Sequence, residues 1–248
     1  MLIAWPGHPL EAHLKGTLRV YRKLFEKHIT QAVAHRLKHQ GDEASLSEAK
    51  EAIAAAVALH DIGKAMKHYQ TRAHKPSFYL HELYSAHTYS KLAKLLDISP
   101  LLSDICTLAV VLHHHSMRSL GTLAIESKRI TGGSYHPEAH SIAAEALKEA
   151  EVKPPPELED IMANPVHQAD IRELIAKLTR EARTKPGKMK LATLVTGPLS
   201  ISDVIDASQN RRGWPTAFTK HIQKVYQGGY RGLSANTPSP QSHSPTPI

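Results

Sequence analysis

Histidine is the residue whose placement points to chemistry. The 248-residue chain carries 18 histidines against one cysteine, and two groups stand out: His60-Asp61 and His113-His114-His115. His13 and His81 fall near the starts of two other helical patterns. Imidazole and carboxylate without thiolate make a mixed nitrogen–oxygen site, which suits Mn, Fe, Co, Ni or Zn and suits Mg less where histidines are many. A carboxylate can bridge two cations. Such a pair, about 3.5–4 Å apart, generates hydroxide and stabilises in-line displacement at phosphorus. A single buried histidine is usually a satisfied core residue, and an HHH run is usually surface composition. The reading therefore depends on where these groups sit.

They sit at the ends of apolar helices. The run Ile53-Ala-Ala-Ala-Val-Ala-Leu59 stops at His60-Asp61, and VVL at 110–112 stops at the three histidines. Neighbouring residues on a helix point about 100° apart, so adjacent side chains line one cavity most easily at a helix terminus. The patterning predicts one long amphipathic helix from Leu10 to about Lys38, with Leu14, Leu18, Tyr21, Leu24 and Phe25 on one stripe. Ser45-Leu-Ser-Glu48 offers a capping box for the helix that ends at His60, and Gly63 suits a helix C-terminus or tight turn after it. Helices are expected at about 80–96, 100–116 and 137–150, with a polar loop at 117–135. Lys153-Pro-Pro-Pro156 is a rigid break. Helices at about 166–183 and 187–196 follow, then one starting near Pro198 and a last one from Trp214-Pro215 to Gly228-Gly229.

Ala, Leu, Lys, Glu and Ile dominate, strand-like alternation is rare, and the fold class expected is all-α. Cys106 lies in an apolar run and reads as a small core residue, so no disulfide framework is available and a reducing cytoplasm is the expected compartment. The opening MLIAWPGHPLEAH has no basic n-region or continuous apolar segment, and no apolar run approaches membrane-spanning length. Neither a signal peptide nor a membrane partner is expected. The formal charge is +8, and residues 170–231 alone carry twelve Lys/Arg against five Asp/Glu. A polyanion such as nucleic acid is the partner this favours, against the plainer reading of a solvated basic surface. The domain boundary expected is 1–231, with NTPSPQSHSPTPI inside a Pro/Ser-rich disordered tail at 232–248.

His60-Asp61-Ile-Gly-Lys64 resembles the HDIGK core of the HD phosphohydrolase superfamily. HPLEAHLKG at 8–16, HDIGKA at 60–65, HELYSA at 81–86, VVLHHH at 110–115 and SDVIDAS at 202–208 resemble, in that order, the motifs of CRISPR-associated HD nucleases. These nucleases form part of the type I interference helicase–nuclease. The resemblance covers roughly residues 5 to 230 and implies an HD-domain helical bundle with a metal site at its centre. It also implies two divalent cations, with Mn, Ni, Co or Fe ahead of Mg or Zn. His13, His60, Asp61 and an Asp of SDVIDAS would serve one; Asp61 would bridge to a second held by His81, His113 and His114. Asp61 and Lys64 would be catalytic, with Lys64 beside the scissile phosphate. The family has glycine after the paired histidines where His115 stands here, so the pair is His113-His114 or His114-His115. Asp203 matches the small-Asp pattern, and Asp206 shares its helix face. The chain shows no helicase after this region, which implies the separate-subunit form.

The function expected is antiviral, metal-dependent nuclease cleavage of single-stranded DNA, endo- or exonucleolytic, with a separate CRISPR helicase and a guide-RNA surveillance complex that chooses the target. Lys64, Arg118, Arg211 and Arg212 are candidate strand contacts, with Trp214 as a core or stacking residue. The alternatives are an HD phosphohydrolase acting on nucleotides or cyclic dinucleotides, and a catalytically silent nucleic-acid-binding subunit. His87 could replace His81 but reads as a core or supporting histidine, and His8 as a helix-orienting or N-terminal residue. His28, His35 and His39 read as solvated. His68, His74, His136, His140, His167 and His221 receive no role, and His68 is expected at the surface.

Overall fold

The computed structural model describes residues 1–71, 77–114 and 119–210. A short antiparallel hairpin comes first (β1, Ile3–Trp5; β2, His8–Pro9), turning at Gly7 with φ +80°. Helices follow: α1 Leu10–Leu24, α2 Glu26–Lys38, α3 Leu46–Leu59, a 3₁₀ turn Ile62–Ala65, α4 Lys67–Gln70, α5 His81–Leu95 and α6 Pro100–Leu112. After them come α7 Leu120–Glu126, a second 3₁₀ turn Ser127–Arg129, α8 Ala139–Glu149, α9 Leu158–Ala163, α10 Gln168–Thr184 and α11 Pro186–Asn210. The expectation of an all-α bundle holds.

At the centre is α3, in which every residue from Ala52 to Leu59 is buried. A helix apolar on all sides belongs inside a bundle, and its alanines let α1, α2, α5, α6 and α8 pack around it. Full burial of Ile53, Val57 and Leu59 is worth about 1.5–3 kcal/mol each. Ser45 caps α3 by accepting from the Glu48 amide at 3.0 Å. The capping box stops there, because the Glu48 carboxylate instead accepts from the backbone amide of Ser99 at 2.8 Å. Ser99 is the N-cap of α6. Glu48 thus clips together the starts of α3 and α6, helices of 14 and 13 residues, each about 20 Å long. Equal lengths from a common base bring their last residues to one level: the rings of His60 and His113 are 5.2 Å apart.

Three sequence expectations give way. The long first helix breaks at Phe25 (φ −130°, ψ −33°). The buried stripe of α1 runs Leu10, His13, Leu14, Thr17, Leu18 and Tyr21, whereas that of α2 runs Thr30, Val33 and Leu37. The second set is out of register with the first, so a straight rod of about 43 Å could not bury both on α3. The polar loop expected at 117–135 contains α7 and the second 3₁₀ turn, with Ser119 capping α7 through the Thr122 amide at 3.1 Å. Pro198 lies inside α11 instead of starting a helix. The clash of proline with the side chain before it is absent because that residue is Gly197. Continuous burial of Leu191, Val195, Leu199 and Asp203 then outweighs the lost backbone bond. The helix expected after Trp214 and the tail at 232–248 lie outside the described residues.

Candidate metal centre

Asp61 follows the last turn of α3, buried, with backbone angles between helix and strand (φ −113°, ψ 7°). Its two carboxylate oxygens face different groups. Oδ2 accepts from His13 Nε2 at 2.9 Å and from Lys64 Nζ at 2.5 Å. Oδ1 meets His81 Nε2 at 2.7 Å and lies 3.3 Å from His113 Nε2. Burial alone would raise this carboxyl, but the Lys64 ammonium, with His60 and His81, holds it well below the usual carboxylate range.

Three of the histidines are aimed by the same local device. The Nδ1 of His60 bonds the carbonyl of Val57 at 2.9 Å, that of His113 the carbonyl of Val110 at 2.7 Å, and that of His81 the carbonyl of Phe78 at 2.6 Å. His60 and His113 are C-caps, so these bonds satisfy carbonyls that the helix end leaves open. Donation from Nδ1 fixes the tautomer and leaves the Nε2 lone pair facing the centre. Ser200 Oγ, from α11, donates to the His113 carbonyl at 2.5 Å and closes the end of α6.

His13, from α1, completes the Oδ2 side. Its Nε2 is 3.2 Å from Asp203 Oδ1, and the same oxygen is 3.8 Å from His60 Nε2. Its Nδ1 is held by Asp206 Oδ2 at 2.7 Å, and Asn210 Nδ2 donates to the other Asp206 oxygen at 3.0 Å. Asp203 therefore faces inward, while Asp206 braces His13 from behind. A side chain on Gly16 would overlap the Asp206 carboxylate, which explains the glycine of HLKG. Burial pushes His13 down, but hydrogen bonds to Asp203, Asp206 and Asp61 outweigh it and raise its pKa to about 10. Asp203 is depressed well below its ordinary value despite burial, through the hydrogen bond from His13 and the nearby His60 ring.

On the Oδ1 side, the His113 and His114 rings lie 3.9 Å apart and the His81 and His114 rings 5.2 Å apart. Burial, reinforced by His113 and His81, pushes His114 down to about 2, so its ring is a neutral donor of lone pairs. Gly63 lies in the first 3₁₀ turn and is needed for close approach, since a side chain there would collide with the carbonyl oxygen of His81. The Gly63 amide donates to Ser85 Oγ at 2.8 Å, fastening the turn to α5.

Two four-residue sets result: His13, His60, Asp61 and Asp203, and Asp61, His81, His113 and His114. The ligand atoms of each set lie within 4.8 Å of one another. The buried Nε2 atoms of His60 and His113 have no hydrogen-bond partner among the described residues. Buried polar atoms are normally satisfied, and inward-facing lone pairs beside carboxylates are what a divalent cation requires. The residues fit a metal centre.

All seven expected ligands thus meet at one place, with Lys64 among them. His115, Arg118, Arg211, Arg212 and Trp214 lie outside the described residues. His87 is buried elsewhere, beside a cavity lined by Lys91, Lys94 and Asp170. His68, expected at the surface, packs against the Tyr69 and Tyr84 rings. His8 stacks on Trp5 with ring centroids 4.4 Å apart. Asp206 appears in the sequence as a rival to Asp203, and its bracing role depends on α1 meeting α11, which no local spacing announces. Part of the basic segment is neutralised within the fold: buried Lys188 and the partly exposed Lys177 pair with Asp104 at 2.7 and 2.8 Å.

Comparison with known proteins agrees with this architecture. The family model described as "Cas3, HD domain" matches residues 4–210. Among curated proteins none matches. The CRISPR-associated Cas3 HD domain protein MJ0384 from Methanocaldococcus jannaschii is similar in structure, with a TM-score of 0.59 and 22% identity, covering 81% of this chain and 97% of that one. At that identity the likeness speaks for the fold, and the family match covers most of the chain. The chain belongs to the Cas3 HD-domain family, and is a CRISPR-associated HD-domain protein.

Proposed function

We propose that this chain is a metal-dependent deoxyribonuclease that hydrolyses single-stranded DNA in CRISPR interference. It would act in the cytoplasm with a separate helicase subunit and a guide-RNA complex. The observation that carries this reading is Asp61, one oxygen of which faces the set with His13, His60 and Asp203 and the other the three imidazoles of His81, His113 and His114. His13, His60, Asp61 and Asp203 would hold one divalent cation, and Asp61, His81, His113 and His114 the other, Mn, Ni, Co or Fe ahead of Mg or Zn. Bound there, the cations supply Lewis acidity at the phosphate and lower the pKa of water.

The chain's own groups have distinct tasks. In hydrolysis the oxygen of water bonds to phosphorus, the bond to one sugar oxygen breaks, and that oxygen takes up a proton. Negative charge builds on the phosphoryl oxygens meanwhile. Lys64 Nζ, 2.5 Å from Asp61 Oδ2 and mostly buried, is fixed where it can offset that charge. Arg118, Arg211 and Arg212 are assigned to the strand backbone, which such cations hold without reading sequence. No described helix is long and apolar enough to cross a membrane.

The test is a matrix of metals against substrates, with Asp61→Ala as control. Manganese-, cobalt- or nickel-dependent cleavage of single-stranded DNA, lost in the variant, is expected. Folded, metal-loaded protein that leaves the strand intact and hydrolyses a nucleotide or cyclic dinucleotide would contradict it.

A further inference from the structure

The fold sorts the cations of α10 onto two faces. Glu173, Lys177 and Glu181 follow one another at four-residue spacing and share one of them. There the charges cancel: Lys177 and Lys188 pair with Asp104, and Lys188 also with Glu181. Arg172, Arg180 and Arg183 are exposed on another face, toward α7 and the second 3₁₀ turn.

Between α10 and those two elements runs a groove of about 480 Å³. Ile175 and Ala176 line it with apolar surface, and Lys128, Arg172, Arg180 and Arg183 line it with charge. Among its described lining residues there is no carboxylate and no aromatic ring. Asp170 and Glu173 border a different cavity, on the α5 side of α10, which Arg180 also touches. One arginine is anchored: Arg172 donates to the Lys128 carbonyl at 2.6 Å and ties α10 to the 3₁₀ turn. Lys128, Arg180 and Arg183 have no ion-pair partner among the described residues. Arg180 and Arg183, three residues apart, repel each other, and an anion in the groove removes that cost.

The length and chemistry of the groove define the anion. Arg172 and Arg183 are about 16 Å apart along the helix axis, more than one phosphate group spans. Cations without an aromatic wall suit a phosphate backbone rather than stacked bases. Besides α7, α10 touches α5 and α11, which supply His81 and Asp203, so the groove is one helix removed from the metal ligands.

We infer that the groove between α7 and α10 is a second holding site for the backbone of a single DNA strand, gripping phosphates away from the one being hydrolysed. The inference rests on the nuclease reading above and adds to it a set of cations outside the metal centre.

The experiment uses the full chain, first in chelator, with labelled single-stranded oligonucleotides of several sequences at a series of salt concentrations. The triple variant Lys128→Gln, Arg180→Gln, Arg183→Gln should lower the salt slope of binding by about two, equally for every sequence. A control with the same change in net charge, exposed Lys23→Gln, Lys27→Gln, Lys38→Gln, should keep the wild-type slope. Once metal is added, the groove variant should raise KM for a long strand with kcat unchanged, and should cut a dinucleotide, too short to reach the groove, as wild type does. If wild type cuts the strand and the groove variant binds it as the control does, the groove is refuted and the nuclease reading stands. Groove-dependent binding of the strand with no cleavage on adding metal would support the groove and refute the nuclease reading. Groove-dependent binding of polyglutamate as tight as that of the strand would reassign the groove to an acidic protein surface and overturn the inference.

Discussion

On one side of Asp61, His13 is held among three carboxylates and reinforced by Asn210, with side chains drawn from the interiors of α1 and α11 and the end of α3. On the other, His81, His113 and His114 share only Asp61 as a close carboxylate within their set, and all three sit at or just past a helix end. His13 and His60 are fully buried, whereas His114 is only half-buried. The difference is one of charge and support. As the proposed cation sites, the carboxylate-rich side would favour a hard cation and resist its loss, while the imidazole-rich side would favour softer ions and depend on a carboxylate that it does not own.

That contrast orders the expected effects of substitution. Asp61→Ala should be the most severe, because both sets lose a ligand at once. Metal content falls on both sides, and activity drops about 10³-fold or more as several kcal/mol of charge stabilisation goes with it. Elemental analysis beside a strand-cleavage assay checks this, with helical circular dichroism as the control for folding. Asp203→Asn and His114→Ala should then separate the sides, each leaving about one equivalent of metal, with the softer ions lost selectively in His114→Ala. If both variants lose the same ion in the same titration, the two sides are not distinct.

Asp206→Asn should be milder. The brace on His13 weakens while every inward-facing ligand stays, and such outer partners are worth about 10–100-fold in metal affinity. Calorimetric titration should show that loss on the carboxylate-rich side alone, and Gly16→Ala should reproduce it by displacing Asp206.

A further effect, on stability alone, lies away from the centre. Burial lowers the pKa of His87 to about 4, with Lys91, Lys94 and His167 adding to the effect and Asp170 opposing it. The unfolded chain, with an ordinary histidine pKa near 6.5, binds the proton before the folded chain does. Stability is therefore complete above about pH 6.5 and falls as the pH drops through 4, by ~3 kcal/mol at most from this group. Thermal melts of His87→Leu against wild type should show a smaller acid-induced fall in melting temperature over that window.

Much of the centre was legible because its histidines end apolar helices. The sequences VALH at 57–60 and VVLH at 110–113 place a histidine three residues past a valine carbonyl, and both rings bond that carbonyl. What joins the two helices was not legible: Glu48 reads as half of a capping box, and only the fold gives it Ser99 instead. Pro198 followed its local rule in the sequence and lost to packing along α11. The break at Phe25 was present in the change of hydrophobic register between Tyr21 and Thr30, and a stripe read only through Phe25 missed it. Gly63 looked like a turn residue, yet its need is for contact with α5, a neighbour 18 residues away in sequence to His81.

The central claim is that one carboxylate joins two cation positions of different character. Anomalous diffraction from manganese-loaded crystals tests it most directly. The account predicts two peaks, one beside Asp61 Oδ2 among His13, His60 and Asp203, and one beside Oδ1 among His81, His113 and His114. A single peak, or two that do not share Asp61, would contradict it.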